Sequence, residues 1–166
     1  MHALRVYVIA GTCLASALAA QEKPVTKATG SDSAFAALQA RGQHAMGVDQ
    51  QTSTHRFDSL HDGGRVELQR DVPDSAGVAQ IRAHMREIAA AFTAGDFSTP
   101  AFVHAQRVPG TDVMAAKRGV ITYEVRDLPL GAELLMRTSD RDAINAIHEF
   151  MAFQRADHHA MGAHQH

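Results

Sequence analysis

STHRFDSLHDGGRVELQRD, residues 53–71, holds the fold-deciding pattern. His61-Asp62-Gly63-Gly64 sits between two runs of alternating polar and apolar residues. Glycines tolerate the positive φ of tight turns, so this arrangement predicts a β-hairpin. The strands run from Ser53 to Leu60 and from Arg65 to Asp71. Alternation sends His55 and Phe57 to one face, with Val66 and Leu68 on the matching face of the partner strand.

The next stretch of chain supports that reading. Val72-Pro73-Asp74-Ser75 stops the strand and caps a helix reaching about Ala94, whose stripe is Val78-Ile81-Met85-Ile88-Phe92. Gly95-Asp96 closes it. The same order then recurs. Val120 to Asp127 and Ala132 to Thr138 flank Leu128-Pro129-Leu130-Gly131, and Ser139-Asp140 opens a last helix to about Ala156. Strand positions match at an offset of 68: Phe57 with Val125, Gly63 with Gly131, Val66 with Leu134, Leu68 with Met136. Helix positions match at 66: Val78 with Ile144, Ile81 with Ile147, Met85 with Met151. The expected fold is α+β, one antiparallel sheet of about four strands from two hairpin–helix repeats, with the helices on one face.

Outward from the repeat, Ser31 or Ser33 can cap a helix from Ala34 to Met46, ended by Gly47. Phe97 to Gly110 holds Pro100 and Pro109 and reads as an ordered surface loop, followed by a helical turn over Asp112–Arg118. The start, MHALR with an apolar run Val6–Leu18 and Ala17-Leu18-Ala19, fits a cleavable signal peptide over 1–19. Export to the periplasm or outside the cell is the expected localisation. After the signal come a flexible leader (20–32), a single domain (33–157) and a His-rich tail (158–166). Cys13 is the one cysteine and leaves with the signal, so the mature protein has neither disulfide nor thiolate ligand. Its neighbours match a lipid-attachment site poorly.

With 16 basic and 18 acidic residues the charge points to no nucleic-acid partner. No mature run is long enough for an integral membrane segment. Nothing in the chain sets its oligomeric state. No Gly-x-Ser-x-Gly, phosphate-binding glycine loop or His-Glu-x-x-His occurs, so no catalytic residue is assigned and a non-enzymatic role is preferred.

Candidate site residues come from departures within the repeat. Ile88 of the first copy becomes Gln154, and Phe92 becomes His158. His55 and Tyr123 hold equivalent core-facing strand positions. Leaving a buried polar group unpaired costs about 1–3 kcal/mol, so His55, Tyr123, Gln154 and His158 are expected to bond to one another, to water or to a ligand. His55 and His158 are expected to meet under the helix layer, with Tyr123 and Gln154 nearby.

A second signal is His beside Met. Imidazole and thioether are the copper ligands available without cysteine. His148 and Met151, one helical turn apart, can share an ion. The tail residues His158, His159, Met161, His164 and His166 can bind copper, zinc or nickel by composition alone. His44 and Met46 diverge by about 200° on a helix and cannot chelate. The first functional expectation is therefore an exported binding protein that takes a transition metal, copper first, through His and Met. The alternative is a metal-free module holding a small apolar or amphipathic ligand, or a partner protein. A hydrolase or lyase using His55 and His158 ranks last.

Met46-Gly-Val-Asp-Gln50, Thr54-His55-x-Phe57, Gly95-Asp-Phe97 and Ile147-His148-x-Phe150-x-x-Phe153-Gln154-x-x-Asp157-His158 cover most of the mature chain. Together they resemble a family of small exported bacterial proteins of unassigned function, some of which carry the name aspartate carbamoyltransferase. That enzyme's Ser-Thr-Arg-Thr phosphate loop has as its nearest text here Ser53-Thr54-His55-Arg56, on a predicted strand. The chain is also about half the length of the two-domain transferase. The name is read as a mislabelling.

Overall fold

A computed structural model describes residues 30–47 and 52–158; the predicted signal segment, most of the leader and the tail from 159 onward lie outside them. Among the described residues the order is α1 (Gly30–Met46), β1 (Ser53–Leu60), β2 (Gly63–Arg70), α2 (Ser75–Ala94), α3 (Ser98–His104), α4 (Thr111–Ala116), a 3₁₀ turn (Arg118–Val120), β3 (Thr122–Leu128), β4 (Gly131–Arg137) and α5 (Arg141–Asp157). The fold is α+β with one antiparallel four-stranded sheet ordered β1-β2-β4-β3. No helix among the described residues is long and apolar enough to cross a membrane.

The repeat has a geometric counterpart. Val66 pairs with Leu134 across the central strands, and these are equivalent residues of the two copies. A residue can pair with its own equivalent in antiparallel strands only where a local two-fold passes between them. The two glycines that close the hairpins obey the same symmetry. A Cβ on Gly63 would lie 1.9 Å from the Met136 carbonyl oxygen, and one on Gly131 would lie 1.9 Å from that of Leu68. Leu68 and Met136 are themselves equivalent. Both glycines are therefore required by close backbone approach.

One row of side chains, Phe57–Val66–Leu134–Val125, crosses all four strands on the helix-facing side. Phe57 and Leu134 belong to the buried core with Leu68 and Met136, and Val66 and Val125 pack against it. The helix stripes meet this face: Ile81, Met85, Ile147 and Met151 are buried at 3% exposure or less. Each such side chain contributes about 1.5–3 kcal/mol by leaving water. The helix starts are alike as well. Asp74 accepts from the Gly77 amide and Asp140 from the Ala143 amide, both N-caps that satisfy an otherwise orphaned donor.

The helices are exchanged between the copies. α2 follows the first hairpin yet packs over β3 and β4 of the second, while α5 returns over β1 and β2 of the first. Side-chain ties fix the exchange. Arg82 donates to the Leu128 and Gly131 carbonyls, and its equivalent His148 donates from Nε2 to the carbonyl of Leu60, the equivalent of Leu128.

Two local expectations need correcting. The first helix begins at Gly30, earlier than Ala34. The segment 97–110, expected as a loop, contains α3. Pro100 falls in its first turn, where a missing N–H removes no helical bond, and Asp96 accepts from the Ser98 amide. Phe97, Pro100 and Val103 bury one side of this short helix. α3 packs on α1, where Arg41 Nε donates to the Val103 carbonyl at 2.7 Å.

Candidate functional site

Between the sheet and the helices lies a cavity of about 90 Å³. Its floor includes Phe57, Val66, Leu68 and Leu134, so it lies over the local two-fold. α2 contributes His84, Ile88 and Phe92 at a spacing of four, and α5 contributes their equivalents Phe150, Gln154 and His158. α1 and α3 cover it with Ala45, Met46, Val103 and His104, among others. A near-symmetric frame thus holds an asymmetric cavity. Where the α2 wall is Ile88 and Phe92, the α5 wall is Gln154 and His158.

The exchange of helices brings the C-terminal end of α5 over β1. The His158 ring lies 5.4 Å from the rings of both His55 and Phe57, within 30° of parallel to each. Arg155 anchors this end of α5 by donating to the Phe57 carbonyl at 2.7 Å. Among the described residues, neither the His55 nor the His158 ring has a hydrogen-bond partner in the protein. Burial, with the neighbouring His84 adding to it, lowers the His55 pKa to about 4. Burial also takes His158 to about 3, reinforced by His55 and His104 and opposed by Asp157. Both rings are neutral at pH 7, each offering one N–H and one lone pair. His84 is lowered too, chiefly by burial.

Gln154 is 4% exposed and His104 5%. His104 Nε2 lies 2.9 Å from Gln154 Oε1, and its Nδ1 makes a close ion-pair contact with the Asp157 carboxylate. Its ring stands edge-on to Phe153 and His158. His104 was not a candidate from sequence. The apolar spacing Phe97–Pro100–Val103 was the signal that could have exposed α3, and with it His104.

His55, Gln154 and His158 are brought together as expected; Tyr123 is not. It sits on the opposite side of the two-fold, against Phe92 of α2, just as His55 sits against His158. Its hydroxyl is buried with no partner among the described residues, and burial raises its pKa. His148 and Met151 are also separated in role. His148 Nε2 is taken by the Leu60 carbonyl, and Met151 is fully buried against the core, where a Cβ on Gly64 would lie 2.9 Å from its methyl. Among the described residues no three His, Cys, Asp or Glu side chains converge as a metal-ligand set. His159, Met161, His164 and His166 lie outside the described residues.

A groove lined by His44, Glu87, Ala91, Ser98 and Phe102 adjoins the cavity and shares Ala45, His84, Ile88 and Thr99 with it. Phe102, 49% exposed, is an apolar residue at this opening. Compared with family models, with curated proteins and with solved structures, the chain matches none.

Proposed function

We propose that this is an exported binding protein for a small amphipathic molecule, seated in the cavity between sheet and helices. One observation carries the reading: at two of three equivalent positions the cavity sets apolar Ile88 and Phe92 of α2 against polar Gln154 and His158 of α5, with His55 beside them, while His84 and Phe150 reverse the pattern at the third. The first copy of the repeat demonstrates that Ile and Phe suit these positions. Polar groups in their place sacrifice packing and need partners. A ligand supplies those partners and an apolar body for the opposite wall, the usual construction of a small-molecule site.

The experiment is thermal melting of the full chain with and without a panel of water-soluble alcohols, ketones and amides of four to six non-hydrogen atoms. A bound ligand raises the melting temperature by mass action. Wild type responds to at least one probe, and Ala45→Phe, which fills the cavity, responds to none. Equal responses in both proteins would place binding elsewhere and end the proposal.

The second reading is transition-metal binding, copper first and zinc or nickel after it. It is favoured by His55 and His158 being unprotonated at pH 7, the state in which imidazole takes a metal. Cu(II) and Zn(II) belong in the same melting series. A metal-induced rise abolished by His55→Ala or His158→Ala, with no response to organic probes, would transfer the function to metal binding. A rise abolished only by deleting residues 159–166 assigns metal to the tail alone.

A further inference from the structure

We infer that the cavity recognises an uncharged carbonyl head group, a primary amide foremost, through the side-chain NH₂ of Gln154, and that His104 and Asp157 are the positioning residues that turn this NH₂ toward the ligand. The inference rests on the binding function proposed above and specifies its ligand.

The hydrogen-bond inventory carries the argument. An ionised carboxylate only accepts, so Asp157 requires a proton on Nδ1 of His104. The amide oxygen of Gln154 also only accepts, so the 2.9 Å contact requires a proton on Nε2. In this arrangement both ring nitrogens of His104 face acceptors, Asp157 on one side and Gln154 on the other. This arrangement uses up Gln154 Oε1 and leaves the NH₂ group. Gln154 is 4% exposed and lines the cavity, and among the described residues its NH₂ has no acceptor. A donor at the cavity wall with no acceptor in the protein becomes a recognition element once a ligand oxygen reaches it.

Charge then narrows the class. No Lys, Arg, Asp or Glu lines the cavity, so a carboxylate finds no paired cation there. An ammonium group likewise finds no carboxylate on the wall. A neutral amide meets neither penalty. Its oxygen accepts from Gln154, and its own N–H groups find the lone pairs of neutral His55 and His158.

Size is the remaining constraint. About 90 Å³ is smaller than the roughly 150 Å³ apolar cavity that holds benzene, so the enclosed part suits a head group and a few carbons. A longer chain leaves past Ala45, Ile88 and Thr99 into the adjoining groove, where Phe102 offers apolar surface.

The test uses the full-length mature chain and four probes of similar size: butyramide, butyrate, butylamine and cyclopentane. Affinities are read by NMR titration at pH 7. Butyramide is expected to bind at least ten-fold tighter than each of the others. Gln154→Leu and His104→Leu should each bring butyramide down to the level of cyclopentane while cyclopentane still binds. That change in selectivity is one a general loss of stability does not produce. In the wild-type protein, ¹⁵N spectra of His104 should report two protonated ring nitrogens, and butyramide should shift the Gln154 side-chain amide protons. Binding of cyclopentane without preference for the amide overturns this inference but leaves the binding function standing. A singly protonated His104 also overturns it, whatever the variants do. Failure of all four probes overturns this inference, and the binding function falls with it when the alcohols and ketones of the melting series also fail.

Discussion

His158→Phe is the substitution that isolates the energetic cost of the polar wall. It restores the residue type found at the equivalent position, Phe92, and removes an ionisable ring whose pKa falls from 6.5 to about 3 on folding. The unfolded chain binds a proton to this histidine at a pH where the folded chain refuses it. Stability therefore falls as the pH drops below about 7 and continues to fall until the folded pKa is reached. At pH 5 the linkage relation gives about 2 kcal/mol lost through His158 and about 2 kcal/mol through His55, whose pKa falls to about 4. The carboxylates with lowered pKa values, Asp62, Asp96, Glu124 and Asp140, act in the opposite region. Their contribution is full above the ordinary carboxylate range and is lost only at lower pH, so the window from 7.5 to 5 belongs to histidine. Urea unfolding at pH 7.5 and pH 5 measures the difference. His84, also lowered by burial, and His104 titrate in both proteins alike, so the reading is the difference: wild type should lose about 2 kcal/mol more across the window than His158→Phe, with both proteins of comparable stability at pH 7.5. His61→Ala, at an exposed ring, should behave as wild type. Water reaching the cavity screens part of this effect, so the threshold is a difference of about 1 kcal/mol between the two pH responses. Identical pH responses in wild type and His158→Phe would refute the burial argument for His158.

Other substitutions test the frame that carries the site. Gly131→Ala should prevent stable folding, because its Cβ would lie 1.9 Å from the Leu68 carbonyl oxygen; circular dichroism of the purified variant checks this. Gly64→Ala meets side chains instead, Ile147 at 2.7 Å and Met151 at 2.9 Å, and should lose about 1–3 kcal/mol in urea unfolding while keeping the fold. Asp140→Ala removes the α5 N-cap and the partner of Lys117, and should lower stability by about 1 kcal/mol. His148→Ala should cost less than Ile147→Ala in the same assay. The first breaks one tie to the Leu60 carbonyl, whereas the second opens a void in the core and costs about 2–5 kcal/mol.

What the sequence determined by itself is local and periodic. Gly63 and Gly131 fixed both hairpins, alternation put Phe57, Val66, Leu134 and Val125 on one face, and Asp74 and Asp140 started the helices. Reading Gln154 and His158 against Ile88 and Phe92 located the polar wall, because periodicity states which positions are buried whatever buries them. It does not state the partner. Only the tertiary structure decided that α5 returns over the first hairpin, which seats His158 on His55 and leaves Tyr123 with Phe92 across the two-fold. Only it decided that His148, a ligand candidate by spacing, ties a helix to a turn as Arg82 does in the other copy. His104 was the least legible residue of all. It lies on a seven-residue helix and owes its role to Gln154 and Asp157, 50 and 53 positions away along the chain. A hydrogen bond across that separation leaves no period in the sequence. It exists only once the α1–α3 layer has closed over the sheet.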